Sequence, residues 1–118
     1  LCEAFLNVLE NAVKYSAGQT KITIRMIRLT VYVRVEIEDE GIGIPRSDWN
    51  RIFQRFYRGG ADEVQRESGS GVGLYLAREI ASRHDGTLVV AAPRHGKRGS
   101  CFVFQLPYLR SWRFPGSM

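Results

Sequence analysis

In VYVRVEIEDEGIGIP, residues Val31 to Pro45, apolar and polar side chains alternate: Val31, Val33, Val35 and Ile37 share one face of a strand, and Tyr32, Arg34, Glu36 and Glu38 the other. The next residue in the apolar phase is Asp39. Strand side chains alternate with a period of two, so Asp39 points where the core should continue, and a carboxylate there is costly unless something pairs with it. Two readings of Asp39 follow: a group that binds a polar partner, or a cap for the turn past the strand.

Upstream, Thr20 to Leu29 alternates as a second strand with Ile22, Ile24 and Met26 on one face. The two strands are expected to pair as a hairpin, although the turn near Leu29-Thr30 lacks the usual Gly or Asn. Leu1 to Ser16 has helical periodicity. Downstream, a short helical patch is expected over Ser47 to Tyr57, a polar, glycine-punctuated loop over Gly59 to Ser70, and a helix over Gly71 to His84. Gly86 to Ala92 and Ser100 to Pro107 read as strands around the basic turn PRHGKRG. There is no internal repeat. Residues 1–110 form one domain in this reading, and 111–118 a tail without clear period.

The chain has 118 residues, 44% hydrophobic and 25% charged, which fits a single globular domain. No apolar run approaches the roughly 20 residues of a membrane span, and the N-terminus lacks the pattern of a signal peptide. Cys2 and Cys101 form no C-x-x-C or Cys/His cluster, which argues against zinc or a disulfide framework and suits a reducing cytosol. The net charge of +5 does not read as a nucleic-acid surface, because the 17 Lys and Arg are scattered, with no long basic run or aromatic-interleaved strand. A polyphosphate pocket with an acidic partner is the sharper expectation.

On the first helix, Val8, Leu1, Ala12, Phe5, Leu9, Cys2, Val13 and Leu6 cover one arc, and Glu3, Glu10, Lys14, Asn7 and Asn11 share the other. The glutamates read as solvated. The asparagines are different, since Asn is a poor helix former on a face usually built from Glu, Lys or Gln. Asn7, Asn11 and Lys14, at i, i+4 and i+7, make a stripe of two amide oxygens and an ammonium. Such a stripe could hold a hard cation and a phosphate together. A second cluster, SGSGVGLYLAREIASRHDG, alternates Gly69, Gly71 and Gly73 just before a helix, where backbone N–H groups can approach an anion. It lacks the upstream strand of a dinucleotide fold, the Gly-Lys-Ser/Thr of a P-loop and the H-R-D and D-F-G of a protein kinase.

Taken in order, NVLENAVKYS, DEGIGIP, IFQRFYR and GSGVGL resemble the N box, first glycine box, F box and second glycine box of the ATP-binding domain of sensor histidine kinases. These share the Bergerat, or GHKL, superfamily with DNA gyrase, the heat-shock chaperone and the mismatch-repair ATPase. RGSCFVFQLP is similar to the closing strand, so the resemblance covers nearly all of Leu6 to Pro107. It implies a two-layer α/β sandwich, a mixed sheet with helices on one face, and an N-terminal truncation that omits the strand normally preceding the N box.

The resemblance implies that Asp39 accepts a hydrogen bond from the exocyclic amine of adenine, where guanine offers a carbonyl that a carboxylate would repel. Gly41 and Gly43 would let the backbone lie close to the ring, with Ile44 beside them in the pocket, and Ser100 would support the Asp39–adenine contact through water. Asn11 is implied as the Mg²⁺ ligand, Asn7 as a helper near metal and phosphates, Lys14 as a phosphate contact and Tyr15 as a wall. Arg58 would reach the γ-phosphate. Gly69, Ser70, Gly71, Val72, Gly73 and Leu74 would form the second phosphate cradle, and Gly59 to Ser70 a lid. Phe53, Phe56 and Tyr57 read as packing that anchors this lid. His84 and His95 read as solvated, not as phosphoacceptors.

Where ATPases of the superfamily carry a water-activating Glu, this chain has Asn7, which cannot act as a base at neutral pH. Slow hydrolysis and phosphoryl transfer to a histidine on a separate helical hairpin are expected, with a response regulator downstream. The implied setting is the cytoplasm, as part of a membrane-bound sensor. Two other readings are an anti-sigma-type serine kinase, which tends to keep the Glu, and a non-catalytic nucleotide-gated interaction module.

Overall fold

The computed structural model describes residues 1–15, 21–55, 72–94, 96 and 98–107. Helix α1 spans Cys2–Tyr15, strand β1 Ile22–Arg28, strand β2 Tyr32–Asp39, helix α2 Gly73–Arg83, strand β3 Thr87–Ala91 and strand β4 Ser100–Pro107. The sheet order is β1-β2-β4-β3. Both helices lie on one face, α1 packed against β2, α2 against β3, and each against the other. This is the expected two-layer sandwich. The three described pairings are all antiparallel, where a mixed sheet was expected. Short connections explain two of them, since β1–β2 and β3–β4 are hairpins, and hairpin partners must run in opposite directions.

The β1–β2 turn closes without glycine, Leu29 N–H donating to the Tyr32 carbonyl at 2.7 Å. The register sets Ile37 against Phe102 and Val35 against Phe104. It also sets Val90 against Phe102 and Leu88 against Phe104. All six are buried and, with Ala4, Val8 and Ala12 of α1 and Leu74, Ala77 and Ala81 of α2, form the core. Phe5 meets Phe104 edge to face, ring centroids 4.8 Å apart, and Phe53 meets Phe102 at 6.4 Å. The alanines let the helices approach closely, so α1 buries a narrower stripe than its apolar arc, and Leu6 and Val13 stay about half exposed.

Ile24 and Met26 share the phase of their buried partners Ile37 and Val35, yet are 58% and 75% exposed. The phase expected from the sequence is right, but β1 is a margin strand that the described helices do not cover. The helical patch expected from Ser47 is instead two 3₁₀ turns, Arg46–Asp48 and Arg51–Phe53. Asp48 and Asn50 are weak helix formers, and among the described residues of this patch only Ile52 and Phe53 are buried, too few to hold a continuous helix. Phe53 packs in the core as expected; Phe56, Tyr57 and the Gly59–Ser70 loop lie outside the described residues.

Candidate nucleotide-binding site

Asp39 is 1% exposed at the end of β2. It lies in one cross-strand row with Ile22 and Ser100, so two polar side chains continue an otherwise apolar column. Its Oδ1 accepts the Gly41 N–H at 2.9 Å and its Oδ2 accepts the Ser100 hydroxyl at 2.7 Å. The first bond is a turn cap, so one oxygen serves the backbone as the plainer reading of Asp39 anticipated. An ionised carboxylate has about four acceptor sites, so two bonds leave capacity for a further donor. Ser100 touches Asp39 directly, a contact the register makes possible.

The first glycine box is pressed against the β3–β4 hairpin. Gly99 has φ +139°, and a Cβ there would lie 2.0 Å from the Asp39 carbonyl oxygen. Gly43 has φ +80°, and a Cβ there would meet the Gly99 carbonyl at 3.2 Å. Arg98 Nε donates to the Gly41 carbonyl at 2.9 Å. Ile44 packs against the core, and its carbonyl accepts the Trp49 indole N–H at 3.0 Å.

On α1, Asn7 and Asn11 are half-buried and Lys14 is exposed; Tyr15 ends the helix. The Asn11 Oδ1 is buried with no hydrogen-bond partner among the described residues. A buried amide oxygen left without a donor is the state in which a hard cation is accepted, so the donor set fits a Mg²⁺ ligand. At the start of α2, no described side chain caps the first turn, which begins at Gly73 after Val72. A Cβ at Gly73 would meet no atom of the described residues within 4 Å, and Leu74 is buried. Among the described residues, then, no side chain caps or crowds the N–H groups that open the helix. Arg58, Gly69, Ser70 and Gly71 lie outside the described residues.

Sequence reasoning missed the opposite face of the sheet. Alternation places Glu36 and Glu38 on the polar face of the strand and says nothing more of them, yet they are 3% and 4% exposed. Arg25 bonds both, Arg94 Nε and Nη2 reach Glu36 at 2.8 and 3.0 Å, and the Arg94 backbone N–H reaches Glu38 at 2.8 Å. Hydrogen bonds from Arg94 pull the Glu36 carboxyl from 4.5 to about 2, against burial and with help from Arg25. Both guanidiniums are held still more firmly charged, chiefly by their bonds to Glu36. Cys101, buried cross-strand from Glu38, has its thiol pushed up to about 11 by burial and by the two carboxylates. The signal in the sequence was two glutamates on one strand face with arginines at Arg25 and Arg94, but nothing local joins residues that far apart.

Residues 1–110 match the family described as histidine kinase-, DNA gyrase B-, and HSP90-like ATPase. The chain belongs to this family. The histidine kinase SenX3 of Mycobacterium tuberculosis is 36% identical over 109 residues, 92% of this chain and 26% of the relative. The sensor histidine kinase WalK of Bacillus subtilis is 36% identical over 104 residues, 86% of this chain and 17% of the relative. Among solved structures, the mycobacterial sensor histidine kinase MprB superposes with a TM-score of 0.76 at 30% identity, over 89% of this chain and 68% of that one. Within the family, then, the chain matches the ATP-binding catalytic domain of sensor histidine kinases, and it spans about a quarter or less of these curated relatives' length. Among the described residues, no helix is long and apolar enough to cross a membrane.

Proposed function

We propose that this chain is the catalytic unit of a two-component sensor histidine kinase that binds Mg-ATP and passes the γ-phosphoryl group to a histidine on a separate helical-hairpin domain. The observation that carries the reading is Asp39: a buried carboxylate in the core phase, oriented by Gly41 and Ser100, with acceptor capacity left for the adenine amine. Asn11 would hold the metal with Asn7 beside it, Lys14 and the N–H groups from Gly73 would bind phosphates, and Arg58 would meet the γ-phosphate. Bound Mg²⁺ would neutralise phosphate charge.

In the transfer, a neutral imidazole nitrogen forms the new N–P bond as the bond from Pγ to the β–γ bridging oxygen breaks, and the electron pair leaves with ADP. The chain's own residues orient and neutralise, and Asn7 supplies no base, which favours an imidazole over water as acceptor. The unit would work on the cytoplasmic side, with a response regulator receiving the phosphoryl group afterwards. The relatives' identity as sensor kinases gives no support to a serine kinase or a non-catalytic module.

The test is calorimetry followed by transfer. ATP should bind about tenfold tighter than GTP, because Asp39 meets a carbonyl in guanine, and equal affinities would overturn the assignment. A helical-hairpin dimer supplied in trans should acquire an acid-labile, base-stable label, lost with Asn11→Ala. Acid-stable label would point to serine instead.

A further inference from the structure

We infer that Arg98 is a positioning residue for the base-reading carboxylate, acting through Gly41. The inference rests on the reading of Asp39 proposed above and adds a residue to it. Three consecutive residues at the end of the β3–β4 hairpin touch the Asp39–Gly41 unit, each at a different atom. Ser100 Oγ donates to Asp39 Oδ2 at 2.7 Å. Gly99, without a side chain, lies against the Asp39 carbonyl. Arg98 Nε donates to the Gly41 carbonyl at 2.9 Å.

Gly41 is the residue whose N–H holds the other Asp39 oxygen at 2.9 Å. Its backbone is therefore tied on both sides, N–H to Asp39 and carbonyl to Arg98. The N–H and the carbonyl of Gly41 belong to successive peptide units joined at its Cα, where a glycine has wide freedom, so without Arg98 the two units can reorient about that Cα and shift the N–H from Asp39 Oδ1. The hairpin that presents Arg98 is fastened at its other end too, where Arg94 bonds Glu36 through its side chain and Glu38 through its backbone. The β3–β4 connection thus contacts β2 at Arg94 as well as at Gly99 and Ser100, on either side of Arg98 in sequence. A bidentate-capable planar guanidinium is suited to this, since its donors have a set geometry.

The test separates positioning from general damage by measuring recognition of one functional group. Affinities of the 118-residue chain for ATP and for purine riboside triphosphate, in which hydrogen replaces the 6-amine, are compared by calorimetry. The parent should prefer ATP about tenfold, the worth of one well-placed hydrogen bond to a charged acceptor. Arg98→Ala should cut that preference to about threefold or less by weakening ATP alone, leaving the analogue's affinity within about twofold of the parent's. Arg34→Ala, which removes a positive charge from the opposite sheet face, should keep the full preference. If the parent itself fails to discriminate, the base-reading role of Asp39 falls. If the parent discriminates and Arg98→Ala discriminates equally well, whether or not both ligands bind more weakly, Asp39 still reads the base and the positioning role of Arg98 is overturned.

Discussion

Gly99→Ala should damage the chain more than any other alanine substitution at a described glycine of the hairpin. The added Cβ would lie 2.0 Å from the Asp39 carbonyl oxygen, 2.8 Å from its carbon and 2.9 Å from the Glu40 Cα. All three are backbone atoms, so no side-chain rotation relieves the clash. Reaching ordinary contact of 3.4 Å requires β4 and β2 to separate by more than an ångström at their shared end. That movement opens the adjacent rung, in which Ser100 pairs with Asp39 and donates to its carboxylate.

The cost has three parts. Alanine at φ +139° is strained by about 1–3 kcal/mol. Overpacking adds about 1–3 kcal/mol, and a loosened buried hydrogen bond about 1 kcal/mol. A loss of at least about 3 kcal/mol is expected, a large share of the roughly 5–15 kcal/mol of an ordinary domain. Urea denaturation followed by circular dichroism measures it, and a parallel ATP titration should show affinity falling further than the unfolded fraction explains. A variant within about 0.5 kcal/mol of the parent and with unchanged ATP affinity would refute the close approach of hairpin and glycine box.

Gly73→Ala should act with opposite signs on stability and binding: the position is helical and a Cβ there meets none of the described residues, so urea stability should rise by up to about 1 kcal/mol while ATP affinity falls severalfold as the methyl enters the proposed phosphate cradle. Unchanged ATP binding would remove Gly73 from the site. The Glu36 carboxyl, lowered from 4.5 to about 2, contributes stability that is complete above its unfolded value and is lost as pH falls from about 4.5 through 2. After allowance for the exposed side of Arg94, that contribution is on the order of 1–2 kcal/mol, and Glu36→Gln should flatten the acid limb of a pH–stability profile over this window. Thiol labelling at pH 8 should modify exposed Cys2 quickly and Cys101 only on unfolding, because burial holds its thiol near 11. Equal rates in the folded chain would contradict the packing around Cys101.

The placement of the candidate site residues Asp39, Asn7, Asn11 and Lys14 was legible because its signals are local. The period-two phase that carries Val35 and Ile37 inward also carries Asp39 inward, whatever surrounds the strand. The i, i+4, i+7 spacing of Asn7, Asn11 and Lys14 is likewise a property of one helix. The alternating run of Ser100, Phe102, Phe104 and Leu106 marks the opposing strand's buried face in the same way, and the hairpin of β1 and β2 follows from two alternating segments close in sequence. What could not be read was set by position in the sheet and by partners distant in sequence. Ile24 and Met26 have the right phase but remain exposed, because a strand's burial depends on what lies over it. Glu36 and Glu38 have the phase of solvent-facing residues but are buried, because Arg25 and Arg94 arrive from β1 and the β3–β4 hairpin to neutralise them. Gly99, Arg98 and Ser100 meet Asp39 and Gly41 only once the register of β2 on β4 is formed, and register is a long-range quantity that alternation along a single strand does not encode.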